Sequence, residues 1–485
     1  MGIVANQSIK NTVITYIGFA IGAINTLFMY AQFLGDTYYG LVGFILSTAN
    51  ILMPIIALGA QSTLIRYYSL YKTDDEKQKL FSFLLILPLL IGLLLYLLGL
   101  FFYEDIALSV SKRNKIVYNY VWIIPIIAVF MAYFEVFYAW AKIHYQSVFG
   151  NFVKEVLLRI LISFFLVLVY FKNITPHQFI YSLLIIYGLC ALIMKIYAFY
   201  IRFPKFTFKF PYNVSSIFAY SLFIVLSGSI ANLMLELDKF MLNFYMIIDN
   251  IAYYSVAVFI ATVVAVPGRA MHQIVHPITA KLMNDGKWKE LNLLYKQTSN
   301  TLQVIGGLLF LLIIININQL YNLLPNVYEK GMYVVFIIGI SKYIELVLGN
   351  NNAIIFNTKY YKTILLLGLF LIVIAIVLNI YFIPKWQING AAFATFFSIL
   401  IYSLLKLFFV VYKLKLFPFT KNTFFSFLIL LISVLVFYFW NFNYHSIINI
   451  ILKTVLASIF YLSLHYAFSI SLDINNLIDR FIRRK

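Results

Sequence analysis

Charge is scarce in this chain. Of its 485 residues, 11% are Asp, Glu, Lys or Arg, against roughly 25% in a soluble domain, which is too few to cover a water-facing surface. Cysteine is scarcer still. Cys190 stands alone within an apolar run, which excludes an intrachain disulfide and any multi-cysteine metal or redox centre. A small-residue cleavage site of the A-x-A kind is also missing after the first apolar run, which a single basic residue, Lys10, precedes. That run reads as a retained helix rather than a removed leader. Long hydrophilic loops are lacking too: the longest, near 63–79 and 277–296, stay under about 25 residues, which argues against a membrane enzyme with a large catalytic loop.

What is present is apolar. Hydrophobic residues make up 63% of the chain and mean hydropathy is +0.92. They fall in runs of about 20 to 25, each able to cross a hydrocarbon core of ~30 Å at 1.5 Å per residue. The pattern predicts an all-α integral membrane protein with about 14 transmembrane helices, at 12–33, 41–62, 80–102, 117–140, 148–170, 177–200, 214–240, 250–276, 297–318, 331–352, 361–383, 389–412, 422–440 and 446–468. The net charge of +19 sits mainly in short loops, so it reads as a topology signal rather than a nucleic-acid surface. Loops on one side hold 26 Lys and Arg, those on the other hold 7, and Arg159, Lys342 and Lys453 fall inside spans. This asymmetry predicts that both termini are cytoplasmic.

The chain also repeats itself. Tyr38-Tyr39-Gly40-Leu41-Val42-Gly43-Phe44-Ile45 opens the second span, and 215 residues later Tyr253-Tyr254-Ser255-Val256-Ala257-Val258-Phe259-Ile260 opens the eighth. Asp36 and Asp249 lie just upstream, and Pro54 and Pro267 further along. Both copies begin on the same side, so the expected organisation is two six-helix lobes as parallel repeats, 1–210 and 211–415, with two more helices and a tail in 416–485.

Four motifs in order carry a resemblance. They are Gln32-Phe33-Leu34-Gly35-Asp36-Thr37-Tyr38-Tyr39-Gly40, Glu236-Leu237-Asp238-Lys239-Phe240-Met241-Leu242, Leu378-Asn379-Ile380-Tyr381-Phe382-Ile383-Pro384, and Asn389-Gly390-Ala391-Ala392-Phe393-Ala394-Thr395. Together they resemble the polysaccharide (O-antigen) flippases of the polysaccharide transporter family, in the multidrug/oligosaccharidyl-lipid/polysaccharide exporter superfamily. Asn389 departs from the commoner Val before the Gly-Ala-Ala. The resemblance implies two lobes around a cavity opening alternately to each side of a bacterial inner membrane. It also implies, as cargo, an oligosaccharide on a polyprenyl pyrophosphate for lipopolysaccharide O-antigen or another surface glycan. Membrane lipid, a polysaccharide polymerase and glycosyltransferases are the expected partners, around a monomer. Neither enzymatic activity nor a cofactor is expected. Rival readings are a drug/cation antiporter or a peptidoglycan-precursor flippase of the same fold, and more distantly a membrane glycosyltransferase or polymerase.

An anionic, hydrated headgroup needs cations or hydrogen-bond donors along its route, so ionisable residues in or near spans are the candidates. Arg159 lies mid-span, where a lipid-facing guanidinium costs at least ~2.5–3.5 kcal/mol, and Glu155 precedes it by one helical turn. The two read as a substrate or gating site, or as a structural pair. Glu135 is expected to carry coupling protons or to pair with Arg159. Lys342 and Glu345 stand three apart. Arg269, His272 and His276 share a span; the two histidines have metal spacing but no intervening glutamate, so a polar cavity wall, a proton-sensitive gate or ordinary placement at the cytoplasmic end is expected there instead of metal. Arg66 is a cytoplasmic anchor or a headgroup contact, and Asp238 and Lys239, at the external end of the seventh span, are expected to close that side by a pair between the lobes. Pro54, Pro88, Pro125 and Pro267 are candidate kinks.

Overall fold

The computed structural model describes residues 3–482 except 208, 229, 359 and 443. Lys359, Arg483, Arg484 and Lys485, all counted in the loop asymmetry, lie outside the described residues. No strand occurs among the described residues, as expected for a chain whose backbone must satisfy its hydrogen bonds within each segment.

The first contact unit is Met1–Ser255. α1 (Ile3–Ile24) runs into a π-helical stretch (Asn25–Leu34), followed by α2 (Gly35–Ala57), α3 (Ala60–Leu70), α4 (Asp74–Ser111), α5 (Ile123–Ile143) and α6 (Val148–Phe152). A π turn (Val153–Leu157) joins α6 to α7 (Leu158–Tyr170), and α8 (Pro176–Ile201), α9 (Val214–Gly228), α10 (Ile230–Tyr245) and α11 (Asp249–Thr262) follow. Its core is aromatic: the Trp140 ring packs 4.0 Å from Phe81 and 5.9 Å from Tyr68, centroid to centroid.

The second unit is Val256–Lys485. It takes in the end of α11, a 3₁₀ turn (Val263–Ala265), α12 (Val266–Asn284), α13 (Trp288–Ile315), α14 (Ile317–Tyr321), α15 (Met332–Val347), α16 (Asn351–Phe356) and α17 (Tyr361–Leu414). α18 (Lys421–Tyr438), α19 (Ser446–Ala467) and α20 (Leu472–Ile482) complete it. A repeat-based lobe is a unit of ancestry and movement, whereas this partition is one of contact: α9 packs on α3 and α10 on α2, which draws the seventh helix into the first unit.

Nine helical stretches among the described residues are long and apolar enough to cross a membrane. Two of them, Lys10–Leu70 and Leu366–Leu414, run to 61 and 49 residues, about twice one crossing. The second bends at Gln387 (φ 55). There a Cβ on Gly390 would run into the Phe382 carbonyl, so the glycine of the fourth motif permits the tight reversal.

The two longest expected loops are mostly helix. α3 and α12 run on to Leu70 and Asn284, leaving only the turns at 71–73 and 285–287. The first is closed by a capping box in which Thr73 and Glu76 satisfy each other's backbone N–H groups. Two of the four prolines mark breaks: Pro54 precedes the left-handed pair Leu58–Gly59, and Pro267 follows the 3₁₀ turn. α4 passes through Pro88 uninterrupted, and Pro125 falls in the first turn of α5, where its missing N–H costs nothing.

The C-terminal helices are joined to α13 by a polar seam. Lys453, 1% exposed, donates to the Ile315 carbonyl at 2.6 Å and to Asn441 Oδ1 at 3.2 Å. Gln303 Nε2 donates to the Thr423 carbonyl at 2.9 Å, Tyr461 Oη to the Val304 carbonyl at 3.2 Å, and Thr301 Oγ1 to Asp473 at 3.0 Å.

Candidate functional site

In the first unit α5, the α6–α7 rod and α1 converge on a charged cluster. Lys154 Nζ donates to Glu135 at 2.5 Å, and Lys142 Nζ sits 3.7 Å over the Tyr138 ring, within electrostatic reach of Glu135 and Lys154. One turn further along, Arg159 Nη1 donates to Glu155 Oε2 at 2.7 Å and also to the Glu155 backbone carbonyl. The expected Glu155–Arg159 pair therefore forms, but Glu135 takes Lys154 rather than Arg159. The π turn widens the rod there and brings residues five apart close to one face, and of the two cations it is Lys154 that reaches Glu135.

Arg159 is 27% exposed in its side chain and lies across α1. A Cβ on Gly18 would stand 2.9 Å from Nη1, and one on Gly22 would stand 2.8 Å from Nε. The glycines, one turn apart, form a flat floor beneath the guanidinium. Asn25 donates to the Arg159 carbonyl at 2.9 Å and accepts from Ser163 Oγ at 2.7 Å, which fixes the crossing. Tyr30 and Tyr187 lie within electrostatic reach of the cation.

The second unit holds a cluster built from α12, α15, α16 and α17. Lys342 Nζ pairs with Glu345 at 3.1 Å. Lys406, 1% exposed, donates to Asn352 Oδ1 at 3.0 Å and sits 4.1 Å over the Tyr402 ring. Glu345 feels Lys342, Lys406 and His272 together. The helix break at Leu348–Gly349–Asn350, with Gly349 at φ 58, buries Asn350 and Asn351; Asn350 Oδ1, Asn351 Nδ2 and His272 Nδ1 have no hydrogen-bond partner among the described residues. The His272 and His276 rings stand 5.6 Å apart, with His276 and Arg269 exposed.

Of the remaining candidates, the Lys239–Glu236 pair approaches the first cluster, Glu236 lying within electrostatic reach of the same Tyr187 that feels Arg159. Arg66 is exposed, with its guanidinium 4.2 Å over Tyr220. Asp238 and Lys239 sit inside a helix that continues to Tyr245, beyond its expected end at 240. Lys239 pairs with Glu236 of the same helix at 3.0 Å, and the fully buried Asp238 accepts from the Tyr254 hydroxyl.

Sequence reasoning missed Lys142, Lys154 and Lys406, all counted as loop charges. Lys406 lay within the expected span 389–412, four residues past Tyr402, which was the available signal; Lys154 likewise lay within 148–170. Each cluster has an excess of cations: Glu135 and Glu155 against Lys142, Lys154 and Arg159, and Glu345 against Lys342 and Lys406.

Around the start of α2, the segment that repeats 215 residues later meets its own counterpart. Tyr253 donates to Asp36 at 3.0 Å, and a Cβ on Gly40 would run into the Ile248 carbonyl. Asn114 Nδ2 stands 3.0 Å from the Asn243 carbonyl, Asn243 Oδ1 and the Met246 carbonyl, while its Oδ1 accepts from the Ile248 N–H at 2.8 Å. Asn243 in turn donates to the Val110 carbonyl at 2.8 Å. Repeat-equivalent tyrosines do equivalent work: Tyr39 bonds back to the Thr26 carbonyl at 3.1 Å, and Tyr254 bonds back to Asp238.

The family model described as polysaccharide biosynthesis protein matches residues 4–283. No curated protein matches the chain by sequence. Among solved structures, a lipid II flippase MurJ in an inward closed conformation superposes with a TM-score of 0.77 at 17% identity, covering 95% of this chain and 98% of that one. Two structures of a multidrug resistance MATE family transporter of the MOP superfamily, one inward-facing and one outward-facing, each give a TM-score of 0.59. Their identities are 13% and 14%, over 82% and 86% of this chain and 97% and 96% of theirs. At such identities the likeness is one of fold: a multi-pass helical transporter fold.

Proposed function

Since the chain belongs to the polysaccharide biosynthesis protein family, we propose that it is a flippase carrying a polyprenyl-pyrophosphate-linked oligosaccharide from the cytoplasmic to the outer leaflet of a bacterial inner membrane by alternating access, in surface polysaccharide synthesis. The observation that carries this reading is the pair of cation-rich clusters within the apolar helices. Lys406 is buried, and Lys342 and Arg159 are partly so, whereas Lys154 is half exposed; burying a lysine or arginine costs several kcal/mol unless something offsets it, and each cluster holds one more cation than its carboxylates neutralise. An anionic headgroup is the charge that completes both. The membrane potential, worth ~2.3 kcal/mol per charge per 100 mV, favours outward movement of such an anion.

The contacts at Asp36, Gly40 and Asn114 support a closed external side, with fourteen helices, cytoplasmic termini and the lobes 1–210 and 211–415 as the frame. In that frame they join one lobe to the helix pair that opens the other, and separating them would open the outward path. The product suits a membrane-embedded polysaccharide polymerase, and the cargo suits glycosyltransferases working on the inner leaflet.

Mass spectrometry of lipids co-purified with the protein tests the cargo. Polyprenyl-pyrophosphate oligosaccharides support the proposal. A peptidoglycan precursor would support the rival that the 0.77 superposition on the lipid II flippase favours. In a complementation assay with matched expression, Arg159→Ala and Lys406→Met are each expected to lower export by about tenfold or more, the equivalent of ~1.4 kcal/mol. Full export by both variants would remove the clusters from the route, and sugar transfer by the purified protein alone would replace the transporter reading with an enzymatic one.

A further inference from the structure

Between α8 and α9, residues 202–207 and 209–211 carry no helix and Tyr212–Asn213 form a turn, so the described residues of 202–213 make a non-helical strap. Its sequence alternates aromatic and basic side chains: Arg202, Phe203, Lys205, Phe206, Lys209, Phe210 and Tyr212. The rings at 203, 206, 210 and 212 are 70%, 53%, 71% and 79% exposed. Lys205 and Lys209 are exposed too, and no carboxylate pairs with either among the described residues. Four bared aromatic rings on one short segment are unusual for a surface in water.

The strap is held, not loose. Arg202 pairs with Asp74 at 2.9 Å, and its carbonyl accepts from Trp140 Nε1 at 3.1 Å. The Lys205 N–H donates to Gln78 Oε1 at 3.0 Å, and the Thr207 N–H donates to Ser82 Oγ at 3.1 Å. Among the described residues of the strap, Pro204 and Pro211, which have no N–H to satisfy, are the buried ones. Phe210 meets Phe83 at 5.9 Å between centroids, Tyr212 meets Tyr71 at 5.8 Å, and the Tyr71 hydroxyl bonds to Asn213.

Those anchors fix its depth. In α4 the charged stretch Asp74-Asp75-Glu76-Lys77-Gln78-Lys79 gives way at Leu80 to an uninterrupted apolar run. Gln78 and Ser82 straddle that transition from water to hydrocarbon, so a backbone tied to both lies at the level of the lipid headgroups. Aromatic rings favour that level, and unpaired lysines there meet lipid phosphates.

We propose that the 202–213 strap is a lipid-docking surface for anionic phospholipid, seating Phe203, Phe206, Phe210 and Tyr212 at the acyl boundary and Lys205 and Lys209 on headgroup phosphates. It thereby fixes the rim of the first unit to one leaflet and enriches anionic lipid beside it. The inference rests on the membrane placement of α4 and is independent of the cargo. The buried Cys190 thiol permits a direct test. In a Cys190→Ala background, nitroxide labels are placed by Phe203→Cys, Phe206→Cys, Phe210→Cys and Tyr212→Cys, with the protein in nanodiscs of phosphatidylcholine with or without phosphatidylglycerol. Collisional relaxation by oxygen should exceed that by a water-soluble nickel complex at all four sites. Lys205→Gln/Lys209→Gln should cut the preference of spin-labelled phosphatidylglycerol over phosphatidylcholine for the protein at least twofold. Hydroxyl-radical footprinting of the unmodified protein should show the four rings shielded, and this measurement decides the matter if a labelled variant fails to fold. Nickel-accessible labels, oxidised rings or an unchanged lipid preference would each overturn the proposal.

Discussion

Arg159 shows how far a single residue can be read before its surroundings are seen. Its cost in hydrocarbon and the Glu155 one turn earlier placed it in the interior, and that pair is present at 2.7 Å. Its floor was not legible, because Gly18 and Gly22 lie some 140 positions earlier and nothing local marks them as its neighbours. Gly22→Val should lower the thermal midpoint of the purified protein by an amount equivalent to about 1–3 kcal/mol of overpacking, and it should depress export beyond any change in expression. His144, in the turn after α5, gives a pH prediction. Burial, with Arg202 adding to it, holds its imidazole below the ordinary value near 6.5, so the folded chain binds fewer protons there than the unfolded one. The resulting stability is fully present above about pH 6.5 and is lost as pH falls through the lower folded value. The midpoint should therefore drop between pH 7.5 and 5.5, and His144→Gln should flatten that part of the profile. Equal slopes for both proteins would remove His144 from the balance.

At the scale of elements, hydropathy located the apolar runs but not their ends, because a helix continues past the bilayer wherever caps and partners allow it. α4 illustrates this. Its apolar run suggested 80–102, while the Thr73–Glu76 box starts the helix at Asp74 and Ala107 and Ser111 stay buried at its far end. α20 went unseen because it is too short and too polar to register as a span. The 215-residue repeat predicted related helices, and its physical content is the Tyr39 and Tyr254 hydroxyls each tying a helix start to the helix before it. The Asn114 contacts could not be foreseen, since an asparagine in a short loop does not announce its acceptors. Asn114→Ala strands the buried Ile248 N–H and leaves Asn243 Oδ1 without this donor, at about 1–3 kcal/mol for each unsatisfied group. Paired nitroxides at Tyr118→Cys and Ile247→Cys should then show a population at longer distance that the parent lacks. A single unchanged distance would separate these contacts from gating.

On the scale of the molecule, family resemblance anticipated the two additional helices as existing, but not how firmly they are attached. Thr301, Gln303, Asn316 and the Ile315 carbonyl all bond to α18–α20 or the segments beside them, so α13 and its C-cap have a polar flank that those helices help to satisfy. Ending the chain after residue 415 should therefore yield no monodisperse protein in detergent, rather than a stable twelve-helix transporter. Lys453→Met, which keeps the bulk and removes the donor, should lower the midpoint while leaving the fold intact. Recovery of a well-behaved truncated chain would show the seam to be dispensable.

The π turn at Val153–Leu157 has one more consequence. A π turn holds one residue more than the α-helix it interrupts, and each α-helical residue turns the chain by roughly 100°. Deleting Val156 would therefore restore a regular helix and leave Arg159 close to its present face, because the wide turn absorbs the extra residue. Inserting one alanine after Leu157, in the regular helix, would instead swing Arg159 and everything after it about a quarter-turn off the glycine floor of α1 without altering a single charge. That would be a lesion of phase alone, and a chain of this kind is as exposed to errors of count as to errors of chemistry.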